Sequence, residues 1–273
     1  MSYADPAMSR LQRNVVRIVE RLTGQRRLKL MYDRYLAEGS PSGNFWHEML
    51  ERAGIGVRYN AAGLAGIPAQ GPVVVVANHP YGLVDGFVIC WLMSLVRPDF
   101  RILINAVLVQ TPEAREHMLP VDFAGTRAAQ ATNLASRATA LRHLSAGGAV
   151  VVFPAGGVST SPDRLGRRPA VDAPWQPFMA QMIQRAACPV VPIHFGGQNS
   201  RMFQIASHIS QTLRVSLLAH EVCRRFDSQV EVTIGAPIPC AETAGWGDRA
   251  AIATELCRRT YLLASTPGRS GEG

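Results

Sequence analysis

The stretch Asn78-His79-Pro80-Tyr81-Gly82-Leu83-Val84-Asp85-Gly86 sets one imidazole and one carboxylate with five residues between them, directly after the apolar run 72–77. A histidine whose far ring nitrogen is held by a carboxylate is a general base, able to take a proton from a hydroxyl or an amine. The same residues have a plainer use. His79 can cap the next helix, and Asp85 can serve as its N-cap. What favours chemistry is position: Pro and Gly end the strand and force a turn, so both side chains ride on a loop where a buried strand surfaces.

The elements that hold this loop alternate along the chain. Valine-rich runs at 73–77, 101–104, 149–153, Val190–Phe195 and 230–234 read as strands. Helix-like runs at 45–53, 87–96, Arg127–Ser145, 175–187 and 249–263 lie before, between and after them. Gly147-Gly148 is a clear stop signal for the longest. The expected fold class is therefore α/β, a mostly parallel central sheet flanked by helices, with an N-terminal helical segment. Ligands of open sheets bind outside the carboxyl ends of the strands. Three such ends carry unusual residues: Asn78-His79, then Pro154-Ala155-Gly156-Gly157-Val158-Ser159, then His194-Phe195-Gly196-Gly197. These ends are expected to frame one groove.

Residues 1–58 form the expected helical segment. Leu11, Val15, Ile18, Val19 and Leu22 share one face, as do Leu28, Met31, Tyr32 and Tyr35 after Gly24. Eight basic residues, Arg10, Arg13, Arg17, Arg21, Arg26, Arg27, Lys29 and Arg34, stand against Glu20 and Asp33. Such a pair of helices suits an anionic membrane surface, or packs on the domain with its charges in water. Residues 59–265 form the main domain and 266–273 a Gly/Ser-rich tail expected to be disordered.

The 273 residues have a mean hydropathy of +0.05 and a net charge of +8, and Lys29 is the single lysine among 28 basic residues. The longest apolar stretch near the site falls far short of a membrane span, and no signal-peptide pattern opens the chain. Five scattered cysteines without a Cys-x-x-Cys pair suggest neither disulfides nor zinc, and a reducing cytosol is the expected compartment. The remaining histidines have no ligand spacing, so no metal is expected.

Taken in order, the motifs resemble the glycerolipid and lysophospholipid acyltransferase superfamily. The closer likeness is to its bacterial hemolysin-type branch, which includes enzymes acylating amino-acid-containing lipids. The resemblance covers about residues 45–240. It implies that His79 is the base and Asp85 its orienting acid, with Asn78 and Gly82 beside them. Phe153, Pro154, Gly156 and Gly157 resemble the acceptor-binding Phe-Pro-Glu-Gly loop, Pro192 the proline-containing strand ahead of the acyl pocket, and Arg127 the phosphate-contacting arginine. Two departures stand out. The widespread pattern has four residues between His and Asp, whereas the hemolysin-type branch resembles this chain in having five. The Phe-Pro loop also lacks its glutamate, at both Ala155 and Gly157, and no arginine follows at once. Arg164, Arg167 and Arg168 are the candidates to replace those contacts.

The resemblance implies acyl transfer from a thioester, borne by acyl carrier protein or coenzyme A as co-substrate, with no bound cofactor. The acceptor is a hydroxyl of a lysolipid or glycerol-phosphate-like molecule in membrane lipid biosynthesis. The expected partners are that donor and a membrane lipid surface, with no nucleic acid, and the expected place is the cytoplasmic face of the inner membrane, peripherally. Backbone N–H groups around Gly82 or Gly156-Gly157 are candidate oxyanion donors, and Phe87, Trp91 and Phe195 either line the groove or pack the core. The runner-up is an ester or thioester hydrolase using the same His–Asp pair, although no Gly-x-Ser-x-Gly is present. A basic lipid-surface or nucleic-acid-binding module is the non-enzymatic reading.

Overall fold

The computed structural model describes residues 24–105, 111–122, 124 and 126–265. The first basic helix expected near the start and the tail from 266 lie outside the described residues. Among the described residues seven strands form one sheet: β1 (Gly56–Tyr59), β2 (Val73–Ala77), β3 (Arg101–Asn105), β4 (Met118–Val121), β5 (Ala149–Val152), β6 (Val190–Phe195) and β7 (Gln229–Ile234), in the spatial order β1-β7-β6-β2-β5-β3-β4. Every neighbouring pair is parallel except β6 and β7. The sheet is mostly parallel, as expected, with β7 and β1 turned against the rest.

β2 lies at the centre, paired Val76 to Val152 on one side and Val76 to Pro192 on the other. All five of its residues are buried, because both faces of the sheet are covered. Side-chain alternation splits them. Val73, Val75 and Ala77 face a core that holds Tyr35, Phe45 and Trp46 of α1 (Gln25–Glu38) and α2 (Phe45–Arg52) and Val88, Ile89 and Leu92 of α4 (Leu83–Val96). Val74 and Val76 face a second core with Ala140 and Leu144 of α6 (Arg127–Ser145), Met179 and Ile183 of α7 (Phe178–Ala186) and Ile252 and Leu256 of α11 (Arg249–Leu262). The short α3 (Ala61–Ala65), α5 (Pro112–Arg115) and α10 (Cys240–Ala244) are connectors, and α8 (Arg201–Ile209) and α9 (Gln211–Arg224) join β6 to β7.

The boundary placed between 58 and 59 falls inside β1, which pairs with β7. Tyr35 of α1 meets Phe45 edge to face at 5.4 Å, so this helix and α2 are part of the main core. Two boundaries also move. The helix expected from 87 begins at Leu83, since Asp85 caps its first turn, and the one expected from 175 begins at Phe178, after Pro174 and Pro177.

At the end of the sheet away from the site, Arg97 is 2% exposed and ties the incoming segments together. Its guanidinium donates to the carbonyls of Pro68 and Gly71, ahead of β2, and of Gly147, ahead of β5, and forks onto Asp99 at 2.8 and 2.9 Å. Removing it leaves three part-buried carbonyls and the Asp99 carboxylate without their donor, at about 1 kcal/mol per lost bond. Arg97→Ala is expected to lose about 3 kcal/mol or more of unfolding free energy, read by denaturant titration.

Candidate active site

His79 emerges where β2 ends. Asn78, just before it, is buried and commits both ends of its amide to Phe195 at the end of β6: Nδ2 donates to the carbonyl at 2.9 Å and Oδ1 accepts the N–H at 2.7 Å. Asn78 is therefore a clamp between neighbouring strands, turned away from the cavity in front of His79. Pro192 is likewise buried within β6. Its carbonyl accepts the Gly235 N–H at 2.8 Å, on the side where the ladder to β7 ends, so the missing N–H of proline costs little there.

The chain then turns at Gly82, whose φ of 77° strongly favours glycine, and enters α4. A helix start leaves its first amides without partners, and Asp85 answers this. Its Oδ2 accepts the N–H of Tyr81 at 2.8 Å and of Gly82 at 2.9 Å. The same oxygen lies 3.1 Å from His79 Nδ1. That separation is ion-pair range, yet the ring N–H is not aimed along it and does not meet hydrogen-bond geometry. Catalytic hydrogen bonds are commonly long or poorly aligned without substrate and tighten when it binds. Asp85 is fully buried, and its Oδ1 has no hydrogen-bond partner among the described residues. Burial pushes its carboxyl above the ordinary value, against the opposing pull of His79 and of the two amides. An imidazolium at this distance in a poorly screened site favours the carboxylate, so the two charges stabilise each other when His79 takes a proton.

Phe153, which follows β5, stacks on the His79 ring at a centroid distance of 4.0 Å and an angle of 26°. Thus the second motif presses on the base itself. Ser159 N–H donates to the His79 carbonyl at 2.8 Å. Asp172, a residue that sequence reasoning missed, completes the frame. Its Oδ1 accepts the His79 N–H at 3.2 Å and the Ser159 hydroxyl at 2.5 Å, and its Oδ2 accepts Trp175 Nε1–H at 2.8 Å. Only the fold reveals it, since 93 residues separate Asp172 from His79.

The imidazole, 18% exposed, opens into a cavity of about 700 Å³. Gly82, Leu83, Gly86, Phe87 and Cys90 line it from one face of α4. At 1.5 Å per residue this face runs ~12 Å from the base. A side chain added at Gly86 would meet nothing within 4 Å, so the groove is open there. Trp46, Leu103, Ile104 and Met118 make its walls apolar. Phe87 lines the groove, whereas Phe195 is core and Trp91 packs between His47 and Tyr59. Pro154, Gly156 and Gly157 border the cavity.

The expected arginines are not gathered here. Arg127 is exposed at the first turn of α6, and the cavity is lined instead by Arg137, further along that helix. Arg164, Arg167 and Arg168 are exposed in a loop organised by Asp163, which accepts the N–H groups of Arg167 and Arg168. Of the amides read as oxyanion donors, Gly82 N–H is given to Asp85 and Gly156 N–H to the Phe153 carbonyl at 3.0 Å. Gly157 N–H makes no hydrogen bond to a described residue. Among the described residues no group of His, Cys, Asp or Glu is arranged to hold a metal.

A family model described as acyltransferase matches residues 9–265, nearly the whole chain. The chain belongs to this family. Two curated relatives are similar to it, the lyso-glycine lipid O-acyltransferases of Bacteroides thetaiotaomicron and Phocaeicola vulgatus. Both are 26% identical, over 185 and 184 residues, covering 65% of this chain and 64% and 63% of theirs. The match thus spans just under two thirds of the relatives' length. The fold is similar to that of the crystal structure of the 1-acyl-sn-glycerophosphate acyltransferase PlsC from Thermotoga maritima. That likeness has a TM-score of 0.52 at 14% identity and covers 96% of this chain and 83% of the other.

Asp85→Asn keeps an oxygen for the two amides but loses the charge that faces the imidazole. Since burial raises the Asp85 pKa, its contribution to stability is full below the ordinary carboxylate range and is lost as pH rises through the raised value. The wild-type melting temperature is expected to fall relative to that of Asp85→Asn as pH rises from about 4 towards neutrality, as read by thermal scans of both proteins across that range.

Proposed function

We propose that the protein transfers a fatty acyl chain from an acyl thioester, carried by acyl carrier protein or coenzyme A, to a hydroxyl of a lysolipid-type acceptor in membrane lipid biosynthesis. The observation that carries this reading is the His79 imidazole, backed by buried Asp85, opening into an apolar cavity of about 700 Å³. The acceptor oxygen attacks the thioester carbonyl while His79 takes its proton. The C–S bond then breaks, and the leaving thiolate recovers that proton from the imidazolium. Gly157 N–H is the backbone donor free to meet the oxyanion. No protein nucleophile and no cofactor enter. The names of the two curated relatives support a lysolipid acceptor.

The groove along α4 holds the hydrocarbon chain in this reading. Leu30 and Leu36, both exposed on α1, support docking at a lipid surface, as a peripheral protein on the cytoplasmic face of the inner membrane. Among the described residues no helix is long and apolar enough to cross a membrane.

The test is transfer from labelled acyl-carrier-protein and acyl-coenzyme A donors to a panel of lysolipids. His79→Ala is expected to lower kcat by ~10³-fold with folding preserved. Release of free fatty acid at full rate without acceptor would establish the hydrolase instead. Gly86→Leu fills the open groove and is expected to depress transfer of long chains while sparing short ones, read as the ratio of kcat/KM across donor lengths.

A further inference from the structure

Three arginines of the loop after β5 stand apart from the site, on a surface of their own. α8 holds this loop with one face: Arg201 Nε donates to the Leu165 carbonyl at 2.8 Å, Gln204 Oε1 accepts the Ser161 N–H at 2.8 Å, and His208 Nε2 lies 2.8 Å from the Ser161 carbonyl. Phe203 and Ala206 turn another side of the helix into a small core. That leaves a stripe of Met202, Ile205 and Ile209, spaced i, i+3, i+7. Leu165 and Met202 are 49% exposed and Ile209 69%. Bare aliphatic side chains gathered in this way mark a surface that meets something.

Charge stands beside the stripe. Arg164, Arg167, Arg168 and Arg201 are exposed, and among the described residues none of the four enters an ion pair. Asp163, the acid of the loop, accepts the Ser161 hydroxyl at 2.6 Å and the N–H groups of Arg167 and Arg168. It organises the backbone and leaves the guanidiniums alone. The patch also borders the cavity. Thr160, directly before the loop segment 161–168, and Gln211, two residues after Ile209, both line it. So does exposed Val171, which is bridged to Thr160.

We propose that this surface docks on a bilayer containing anionic lipid and sets the mouth of the cavity against the membrane. The acceptor then passes from the bilayer to His79 without crossing water. The inference rests on the lysolipid reading above and deepens it by naming a docking face apart from Leu30 and Leu36 of α1. Anionic head groups match the unpaired guanidiniums, and the aliphatic tips reach the acyl boundary. Those tips are what favours lipid over an acidic carrier protein, which the arginines alone would serve.

The experiment is co-sedimentation of the full chain with vesicles of phosphatidylcholine alone, or of phosphatidylcholine and phosphatidylglycerol in equal amounts. Each cation near an anionic bilayer raises partition ~5-fold. The triple variant Arg164→Gln, Arg167→Gln, Arg168→Gln is therefore expected to bind the anionic vesicles ~100-fold less tightly and the neutral ones as wild type does. Met202→Ser with Ile209→Ser is expected to lose ~10-fold on both. A third variant, Ile209→Trp, reports position: lipid with brominated chains is expected to quench its emission beyond that of the four native tryptophans. Unchanged vesicle binding in the first two variants overturns the proposal. Absence of the added quenching also overturns it, even where other residues hold the protein on the vesicles or a variant fails to fold. A raised KM for acyl carrier protein in the triple variant, with vesicle binding unchanged, makes the patch a dock for the donor and overturns it too. Vesicle binding needs neither donor nor acceptor, so a wild type that acylates no lysolipid defeats the reading above, a result separate from these.

Discussion

The site depends on one oxygen atom serving two masters. Asp85 Oδ2 closes the first turn of α4 by accepting two backbone amides, and it also stands 3.1 Å from the ring nitrogen of His79. A carboxylate sealed from water survives only where such partners surround it. The helix start and the His79 ring therefore face the same carboxylate oxygen. Gly82 makes this possible, because its left-handed backbone brings the amides of Tyr81 and Gly82 onto one carboxylate.

Around this atom the sheet does the placing. β2 has β5 and β6 as neighbours, so all three motifs leave adjacent strands at one end of the sheet. Each contributes differently. The β2 end delivers His79, the β5 end lays Phe153 against it, and the β6 end receives the Asn78 amide. Asp172 then binds the loop after β5 to the main chain of His79. His79 is thus held at its main chain by the strand and by Asp172, with Phe153 stacked on its ring.

Much of this was legible in the residues. The valine runs marked β2, β5 and β6, whose side chains are buried on both faces and so leave no alternation to confuse, and the end of Arg127–Ser145 could be read because the paired glycines punctuate it. His79, Asp85 and the Phe153–Gly157 loop could be read because each lies within a few residues of a strand end. Asn78 was misread, since a polar residue next to a base looks like a substrate contact until its amide is seen on Phe195. β1 and β4 were missed because they are short and mixed in polarity. Asp172 reaches the site from 93 positions beyond His79, through contacts that no local spacing encodes.

The valine strands carry a hazard of their own. A newly made chain exposes Val73–Ala77 and Ala149–Val152, two uncharged runs of high β-propensity of the kind that nucleate cross-β stacking between molecules. Pro72 and Pro80 bracket the first and Pro154 follows the second. None of these prolines can donate to a growing ladder. The sequence that shapes the turn at His79 therefore also acts as a gatekeeper during synthesis, limiting how far a stray strand could extend before the sheet encloses it.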